Sequence, residues 1–366
     1  MAKSRQLSTH YCSRLSTAPA ICAENEWLIA SQPVTVTHCR RAPAFLKNQS
    51  IKSIVARMIH SSEDSPASDT LLQQSDPAVP IIGLRRTYPR YVTMLLFGLV
   101  TCSAMIGVPL FGFFYGYTWL DWTMFGLLYV VTGLGITVGY HRLISHRSFT
   151  CPDWVKVCFL IAGGWALQNS ALKWGADHIR HHAACDQDAD PYNAKLGFWH
   201  SHCGWLWSDQ SHADPKYAAR LRQDPIVVWQ HQHYVPIVLS GLAFPFVAGW
   251  LYGGWMAGVS CFMLAGVGRM FAVLNSTFCI NSICHLWGRQ PHSQADSSRD
   301  SWLVSLVTFG EGYHNYHHTH QTDYRNGPRW YNFDPSKWLI YTLSLLGLAS
   351  SLRTASGREQ GISLTS

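Results

Sequence analysis

Three long stretches with almost no charge constrain the fold more than any other feature of this chain. Residues 91–117 and 122–140 carry no charged side chain, and residues 234–284 carry one, Arg269. A helix rises about 1.5 Å per residue, so about 20 residues cross ~30 Å of hydrocarbon. The first two stretches each fit one crossing and the third fits two. The sequence therefore predicts an all-α integral membrane protein with four transmembrane helices arranged as two hairpins.

The turns of these hairpins, and two shorter apolar segments, are also visible in the sequence. The first turn is predicted near residues 118–121 and the second at Gly253-Gly254. Segments 157–172 and 338–349 are apolar but too short to cross a bilayer. Such lengths are typical of interfacial or buried helices. Together with the remaining polar segments, they are expected to form a helical cap.

Basic residues indicate the orientation of these spans. Only 13% of the residues are charged, against about 25% in an average soluble protein. The net charge is +7, but Lys and Arg do not form runs, so we do not expect nucleic acid as a partner. Nine basic residues fall in segment 141–233 and five in 285–337, and none in the predicted turns. The positive-inside rule then places both termini and both long segments on the cytoplasmic, or organellar stromal, side of the bilayer.

The chain divides into three regions by composition. Residues 1–80 are expected to be a disordered or targeting segment, because the first 22 residues contain no acid. A start codon nearer Met58 is an alternative explanation. Residues 81–350 form the predicted membrane domain, and residues 351–366 a polar tail. The 11 cysteines include no CxxC pair, which argues against a disulfide framework and a thiolate metal site.

Eight histidines fall into three clusters within this predicted domain. They are His141 and His146, then His178, His181 and His182, then His314, His317 and His318. Spacings i, i+3 and i+4 lie on one helix face, so three imidazoles can converge on one point. The i, i+5 pair is about 140° apart on an α-helix, which puts one member at a helix end or beside a second metal.

This many imidazoles indicates a centre with two metal ions. Structural zinc usually takes four ligands, often cysteines. Neutral imidazoles leave the metals cationic and redox-active, which suits non-haem iron and dioxygen. Because the site would adjoin an apolar helix bundle, the sequence favours oxidation of an unactivated C–H bond.

These residues resemble those of the membrane fatty acyl desaturases of the delta-9, stearoyl-CoA type, over residues 85 to 340. The neighbouring motifs Asp188-Ala189-Asp190-Pro191, Gly310-Glu311-Gly312 and Asn281-Ser282-Ile283-Cys284-His285 are also similar. The resemblance implies that His285 is a ninth iron ligand and that Asn281 reaches one iron through water. It also implies that Gln168, Trp174 and Thr277 shape a bent acyl tunnel, whose floor we expect at residues 125–129.

The implied activity is insertion of a cis double bond at C9–C10 of a saturated acyl chain, using two Fe²⁺ ions and O2. The acyl carrier is less defined, because Ala176 and Lys195-Leu196 replace basic residues of the acyl-CoA enzymes. Acyl-CoA is favoured, and acyl-lipid or acyl-carrier-protein substrates remain open. No cytochrome b5-like His-Pro-Gly-Gly motif is present. A separate electron donor is therefore expected: cytochrome b5, ferredoxin or a reductase.

Two alternatives stay open from the sequence alone. One is a related membrane di-iron hydroxylase or oxygenase, and the other is a non-enzymatic, histidine-rich metal-binding membrane protein. Arg269 could face the bundle interior with a partner or reach the interface. His231, His233 and His320 are expected to tolerate substitution.

Overall fold

The computed structural model describes residues 90–208 and 215–355, and helices dominate both ranges. The expected N-terminal segment 1–80 and most of the tail 351–366 lie outside the described residues. The α-helices are α1 (Arg90–Cys102), α2 (Val108–Tyr115), α3 (Trp119–Leu134), α4 (Asp153–Gly164), α5 (Ala171–Ala184), α6 (Phe198–His202), α7 (Pro215–Ala218), α8 (Pro225–Gln232), α9 (Tyr234–Cys261), α10 (Arg269–Leu286), α11 (Trp302–Val307), α12 (His314–Thr319) and α13 (Pro335–Leu345). In the described residues, β-structure is limited to isolated bridges, such as Thr150 with Ser350.

Three helical segments within the described ranges are long and apolar enough to cross a membrane: Met94–Tyr115, Trp119–Ser145 and Tyr234–Leu286. Only 6% of the apolar window of the first is buried inside the protein, against 61% for the third. The first helix therefore presents most of its surface outward, as expected of a segment solvated by lipid.

The third segment has 53 residues and is broken in its middle. Gly253 and Gly254 depart from helical geometry, and Gly254 has a φ of +78° that favours glycine. A side-chain carbon on Gly249 would overlap the carbonyl oxygen of Ala257. The backbone halves on either side of the break therefore lie in close contact, and the break coincides with the predicted second turn.

The first predicted turn is slightly displaced. α2 ends at Tyr115 and α3 begins at Trp119, so the break covers residues 116–118 rather than 118–121. The Thr118 backbone N–H donates to Asp121 Oδ2 at 2.6 Å, and the two residues form a capping box. Asp121, the one charged residue in segment 91–140, therefore stabilises the N-terminus of α3.

Three π-helical segments interrupt the long helices: Ser103–Gly107, Gly135–Ser145 and Phe262–Gly268. In a π-helix each N–H bonds to the carbonyl five residues earlier, and such segments are frequent at functional sites. The segment Gly135–Ser145 carries the first histidine pair, and all of its residues are buried.

The apolar segment 157–172 does not form the single helix that its composition suggested. α4 ends at Gly164 and α5 begins at Ala171, with a turn between them. Leu167 (φ +59°) and Asn169 (φ +70°) are left-handed there, so the α-helix cannot continue. The C-terminal apolar segment forms α13, on which Trp338 and Leu345 are exposed and Ile340 is buried.

Candidate metal centre

The first histidine cluster joins three separate parts of the chain. It consists of His141, His146, His178, His182 and His317, whose ligand atoms all lie within 4.8 Å of one another. The Nε2 atoms of His146 and His178 are 2.8 Å apart. Those of His141 and His317 are 3.0 Å apart, as are those of His317 and His182.

The second histidine cluster lies beside the first. Its members are His181, His285, His314 and His318, again with ligand atoms within 4.8 Å of one another. His314 Nε2 lies 3.1 Å from the Nε2 atoms of both His285 and His318. The structure therefore brings together all nine histidines that the sequence nominated.

Each HxxHH helix contributes to both clusters. On α5, His178 and His182 belong to the first cluster and His181 to the second. Residues i and i+4 are only about 40° apart around a helix, whereas i+3 points about 60° to the other side. α12 divides its three rings by the same rule, with His317 in the first cluster. The three rings of each helix were expected to converge on one point. In the structure they are divided between the two adjacent clusters.

The π-helix explains how the i, i+5 pair meets. The His146 N–H donates to the carbonyl of His141 at 3.0 Å, which is the five-residue π-helical bond. The two rings consequently lie 4.7 Å apart between centroids. His146 is the residue that follows the helix, as the spacing had predicted.

Acidic side chains hold the outer nitrogens of the rings. His181 Nδ1 is 2.8 Å from Asp190 Oδ1, and His318 Nδ1 is 2.9 Å from Asp296 Oδ2. His285 Nδ1 is 2.8 Å from Ser297 Oγ, a hydroxyl that donates to Asp186 at 2.6 Å. Such outer partners orient metal-binding imidazoles and raise their basicity.

Glu311 plays the same part for the first cluster and is itself held by a buried network. Its Oε2 lies 2.8 Å from His141 Nδ1. Arg142 Nη2 contacts Glu311 Oε1 and Asp334 Oδ1, each at 3.0 Å, and Asn326 Nδ2 donates to Glu311 at 2.5 Å. Burial acts to raise the pKa of Glu311, but His141 and Arg142 outweigh it and the pKa is lowered.

Burial keeps four of the rings neutral. Burial lowers the pKa of His178, His182, His314 and His317 well below the usual value, and neighbouring imidazoles lower it further. Burial acts to raise the pKa of Asp190, but its interactions with His181 and the backbone N–H groups of Tyr192 and Asp186 outweigh it, and the pKa is lowered. Neutral imidazoles backed by carboxylates are the form that binds a metal ion.

The hydrogen-bonding pattern fits a bound cation. A ring whose Nδ1–H donates to an acid has a bare lone pair on Nε2, and His318 is such a ring. Its Nε2 faces other imidazole nitrogens, and the Nε2 of His181 is buried without any hydrogen-bond partner. Converging lone pairs in a buried site require a positive charge between them. The donor set, nine nitrogens in groups of five and four, suits two transition-metal ions.

Two cavities meet at the metal centre. One of about 580 Å³ is lined by Tyr129, Ile136, Val273 and Phe309 and by histidines of both clusters. The other, of about 1070 Å³, is lined mainly by apolar side chains of α1, α10 and residues 204–207. The residues common to both walls are Trp174, His178, Thr277 and Asn281. An apolar chain passing from one cavity to the other would run beside the histidines.

The three predicted tunnel residues form one hydrogen-bonded chain. Gln168 Nε2 donates to Thr277 Oγ1 at 2.8 Å, and Trp174 Nε1 donates to Gln168 Oε1 at 3.2 Å. Tyr129, at the predicted floor, lines the smaller cavity. Ala176 is buried in the core, and Lys195 and Leu196 are exposed.

Sequence reasoning missed the acids that hold the Nδ1 atoms of the histidines, and it missed the Arg142 network. Asp190 and Glu311 were noted only as parts of motifs, and Asp186, Asp296 and Asp334 were not noted. An acid near a histidine motif is a weak signal, because the separations vary widely: Asp190 and Asp296 lie 9 and 22 positions from the histidines they contact, whereas Asp186 contacts Ser297 from 111 positions away.

Comparisons with known proteins place this chain in a family. Residues 117–340 match the family model described as fatty acid desaturase. A probable acyl-CoA desaturase of Schizosaccharomyces pombe is 41% identical over 271 residues, which are 70% of this chain and 55% of that protein. Acyl-CoA desaturase 1 of Saccharomyces cerevisiae is 38% identical, over 68% of this chain and 50% of that protein. The sn-1 stearoyl-lipid 9-desaturase of Anabaena variabilis is 35% identical, over 64% of this chain and 84% of that protein.

The fold is helical, with three segments in the described ranges apolar enough to cross a membrane, and it carries two adjacent histidine clusters that could hold metal ions. The chain belongs to the fatty acid desaturase family. It spans about half the length of the two yeast relatives it matches.

Proposed function

We propose that this protein is an O2-dependent fatty acyl desaturase that introduces a cis double bond at C9–C10 of a saturated acyl chain. The observation that carries the proposal is a centre of nine closely placed histidines beside two largely apolar cavities, with His178 on the wall that the cavities share. Iron ions held by the groups of five and four would supply the activation of O2. The names of the relatives, acyl-CoA and stearoyl-lipid desaturases, support the same activity.

The residues of the chain would place the acyl chain for this reaction. Trp174, Thr277 and Asn281 lie where the two cavities meet, so a bound chain would pass them with its reacting carbons next to His178. The Gln168 link between Trp174 and Thr277 holds this point rigid. A bend imposed there would favour a cis product, because orientation lowers the barrier for one geometry only. Asn281 lies one helical turn before His285 and lines both cavities, so it would contact a bound iron through water.

The proposed membrane arrangement has four crossings, since the third apolar helix is broken at Gly253 and Gly254. All three histidine motifs meet in one centre, which supports placing them on the same side of the bilayer. The distribution of basic residues favours the cytoplasmic side, or the stromal side in an organelle. The exposed apolar surface of α1 and α2 would face the acyl chains of the bilayer.

The activity can be tested by expression in a host that lacks its own desaturase, followed by mapping of double bonds in the total lipids. A cis double bond at C9 supports the proposal. A hydroxy acid as the main product would instead indicate a related oxygenase. Purified protein that contains zinc and gives no product under O2 would indicate a metal-binding protein without this activity. Analysis of the CoA, lipid and carrier-protein pools identifies the acyl carrier, for which we favour CoA.

The electron donor would approach through an opening that shares no lining residue with the two acyl cavities. Its volume is about 870 Å³, and within the described ranges its lining includes His146, His182, Lys216 and Arg220 but no acid. His182 is partly exposed, and neither it nor His146 lines the two acyl cavities. Positive charge around a redox centre steers an acidic partner. A separate acidic redox protein, such as cytochrome b5 or ferredoxin, fits this surface.

Replacing Lys216 with Glu should weaken donor docking. We expect the KM for a soluble cytochrome b5 or ferredoxin to rise about fivefold, with a smaller effect at high salt, because a rim charge mainly changes the association rate. Steady-state kinetics with each donor measures this. The matched control is Arg289→Glu, an exposed charge reversal outside the opening. Equal KM changes in the two variants would contradict docking at this opening.

Tyr129 should limit the length of the acyl chain. Its hydroxyl contacts Ser276 Oγ and the Val307 carbonyl, each at 2.7 Å, which fixes the ring across the smaller cavity. In Tyr129→Ala we expect the ratio of long to short acyl products to rise by at least about threefold, since each methylene in an apolar pocket contributes to selectivity. Competition between saturated substrates of different length measures the ratio. Tyr115→Ala, at an exposed position outside the cavity, should leave it unchanged.

A further inference from the structure

Arg269 is a fully buried arginine within an apolar helical segment. Its exposed fraction is 0%, and it lies inside the segment Tyr234–Leu286. A charge in such a position is costly and usually has a functional reason. In the described part of the chain, its hydrogen bonds go to backbone carbonyls and it has no carboxylate partner. Nη1 donates to Trp165 at 2.5 Å, Nε to Ala265 at 3.2 Å and Nη2 to Gly241 at 3.3 Å.

The shortest of these bonds is made at the end of a helix. α4 ends at Gly164, and Trp165 is the residue that follows it. The last carbonyls of a helix lack intrahelical partners and carry partial negative charge. The guanidinium of Arg269 therefore binds the place on α4 that best accepts a cation. Because its planar fork reaches two further carbonyls, it fixes the end of α4 against α9 and α10.

The turn that follows has an unfavourable backbone. Leu167 and Asn169 both have positive φ, which is unusual for residues with a side chain. Such a conformation persists only where the surroundings fix it. The far end of the turn is held by Tyr234, whose hydroxyl accepts from the Asn169 N–H at 3.0 Å. Arg269 holds its near end.

Gln168 lies between these two left-handed residues. Its side chain bonds to Thr277 and Trp174 at the junction of the two cavities. Thr277 is eight residues after Arg269 on the same helix, about 12 Å along its axis. α10 thus contacts the turn at two places, directly through Arg269 and at the cavity wall through Thr277.

We propose that Arg269 is a positioning residue that sets where the acyl chain bends past the metal centre, by fixing the turn that carries Gln168. The inference rests on the proposed desaturase function. Arg269 lines neither cavity, yet it would take part in selecting which carbon–carbon bond is oxidised. A displaced Gln168 would let the chain slide relative to the histidines.

The test is the position of the double bond in the products of Arg269→Met and Arg269→Lys. Methionine keeps the length of the side chain without the charge, and lysine keeps the charge without the fork. We expect turnover to fall about tenfold in Arg269→Met and the share of products with a displaced double bond to rise about fivefold, as misplacement of a substrate costs rate and selectivity. Arg269→Lys should show the same change to a smaller degree. Iron content per chain should equal that of the unchanged protein.

A double-mutant cycle separates positioning from general loss of packing. If Arg269 acts through Gln168, then Arg269→Met combined with Gln168→Ala should give the same product distribution as Gln168→Ala alone. Lower thermal stability with an unaltered double-bond position in both Arg269 variants would overturn the proposal, as would additive shifts in the double mutant. If the unchanged protein produces no unsaturated acyl chain, the proposed function fails, which is a distinct result.

Discussion

Replacement of His317 with alanine is expected to abolish product formation. The Nε2 of His317 lies 3.0 Å from the Nε2 atoms of both His141 and His182, which makes it central to the first cluster. Removing one member of a unit that acts together costs nearly as much as removing the whole, so we expect a fall of more than about 1000-fold. Gas chromatography of fatty acid esters from a desaturase-deficient host measures this loss. Iron content of the purified variant should fall as well.

The control for this prediction is His320→Ala. His320 follows α12 directly but belongs to neither cluster, and it is partly exposed. Its substitution should leave both product and iron content close to those of the unchanged protein. Unsaturated product from the His317 variant at a comparable level would refute the assignment of the first cluster.

Substitution of Glu311 by glutamine should weaken metal binding without removing a ligand. Glu311 lies 2.8 Å from His141 Nδ1 and 3.0 Å from Arg142 Nη2, and it is buried. Losing such an outer carboxylate typically reduces metal affinity or activity by about 10- to 100-fold. Arg142 would also lose one of its two buried carboxylates, so the free energy of unfolding should fall, by up to about 3–5 kcal/mol. Iron titration followed by plasma mass spectrometry gives the affinity.

Asp334→Asn separates these two effects. Asp334 is also buried and contacts Arg142 at 3.0 Å, but it touches no histidine of the centre. This variant should lose stability and keep most of its iron affinity. If both variants lost iron affinity equally, the role of Glu311 in orienting His141 would be wrong and the network would be structural only.

The sequence predicted which histidines come together, because their spacing is a local property. The pairs His178 and His182, and His314 and His318, are each one turn apart on short helices, and each pair enters a single cluster. The second hairpin turn was equally predictable, because two adjacent glycines, Gly253 and Gly254, interrupt a long apolar segment. The chain belongs to the predicted family, and the family resemblance nominated His285, which now completes the second cluster.

The features that the sequence did not reveal depend on contacts between distant segments. Nothing in residues 157–172 signals the left-handed Leu167, because that backbone is stabilised by Arg269 and Tyr234 from later parts of the chain. Arg269 was expected to have a partner if it faced the interior, and its partners are backbone carbonyls, including those of Trp165 and Gly241. The Arg142 network likewise joins residues up to 192 positions apart.

The π-helical segment Gly135–Ser145 has a consequence for what the first cluster tolerates. A π turn holds more residues than an α turn, so side chains five positions apart share a face in it, whereas on an α-helix they lie about 140° apart. His141 and His146 therefore meet only while this wider turn persists. A change that returned the span to α-helical geometry would direct the His146 ring away from His141, although both histidines would remain in the sequence.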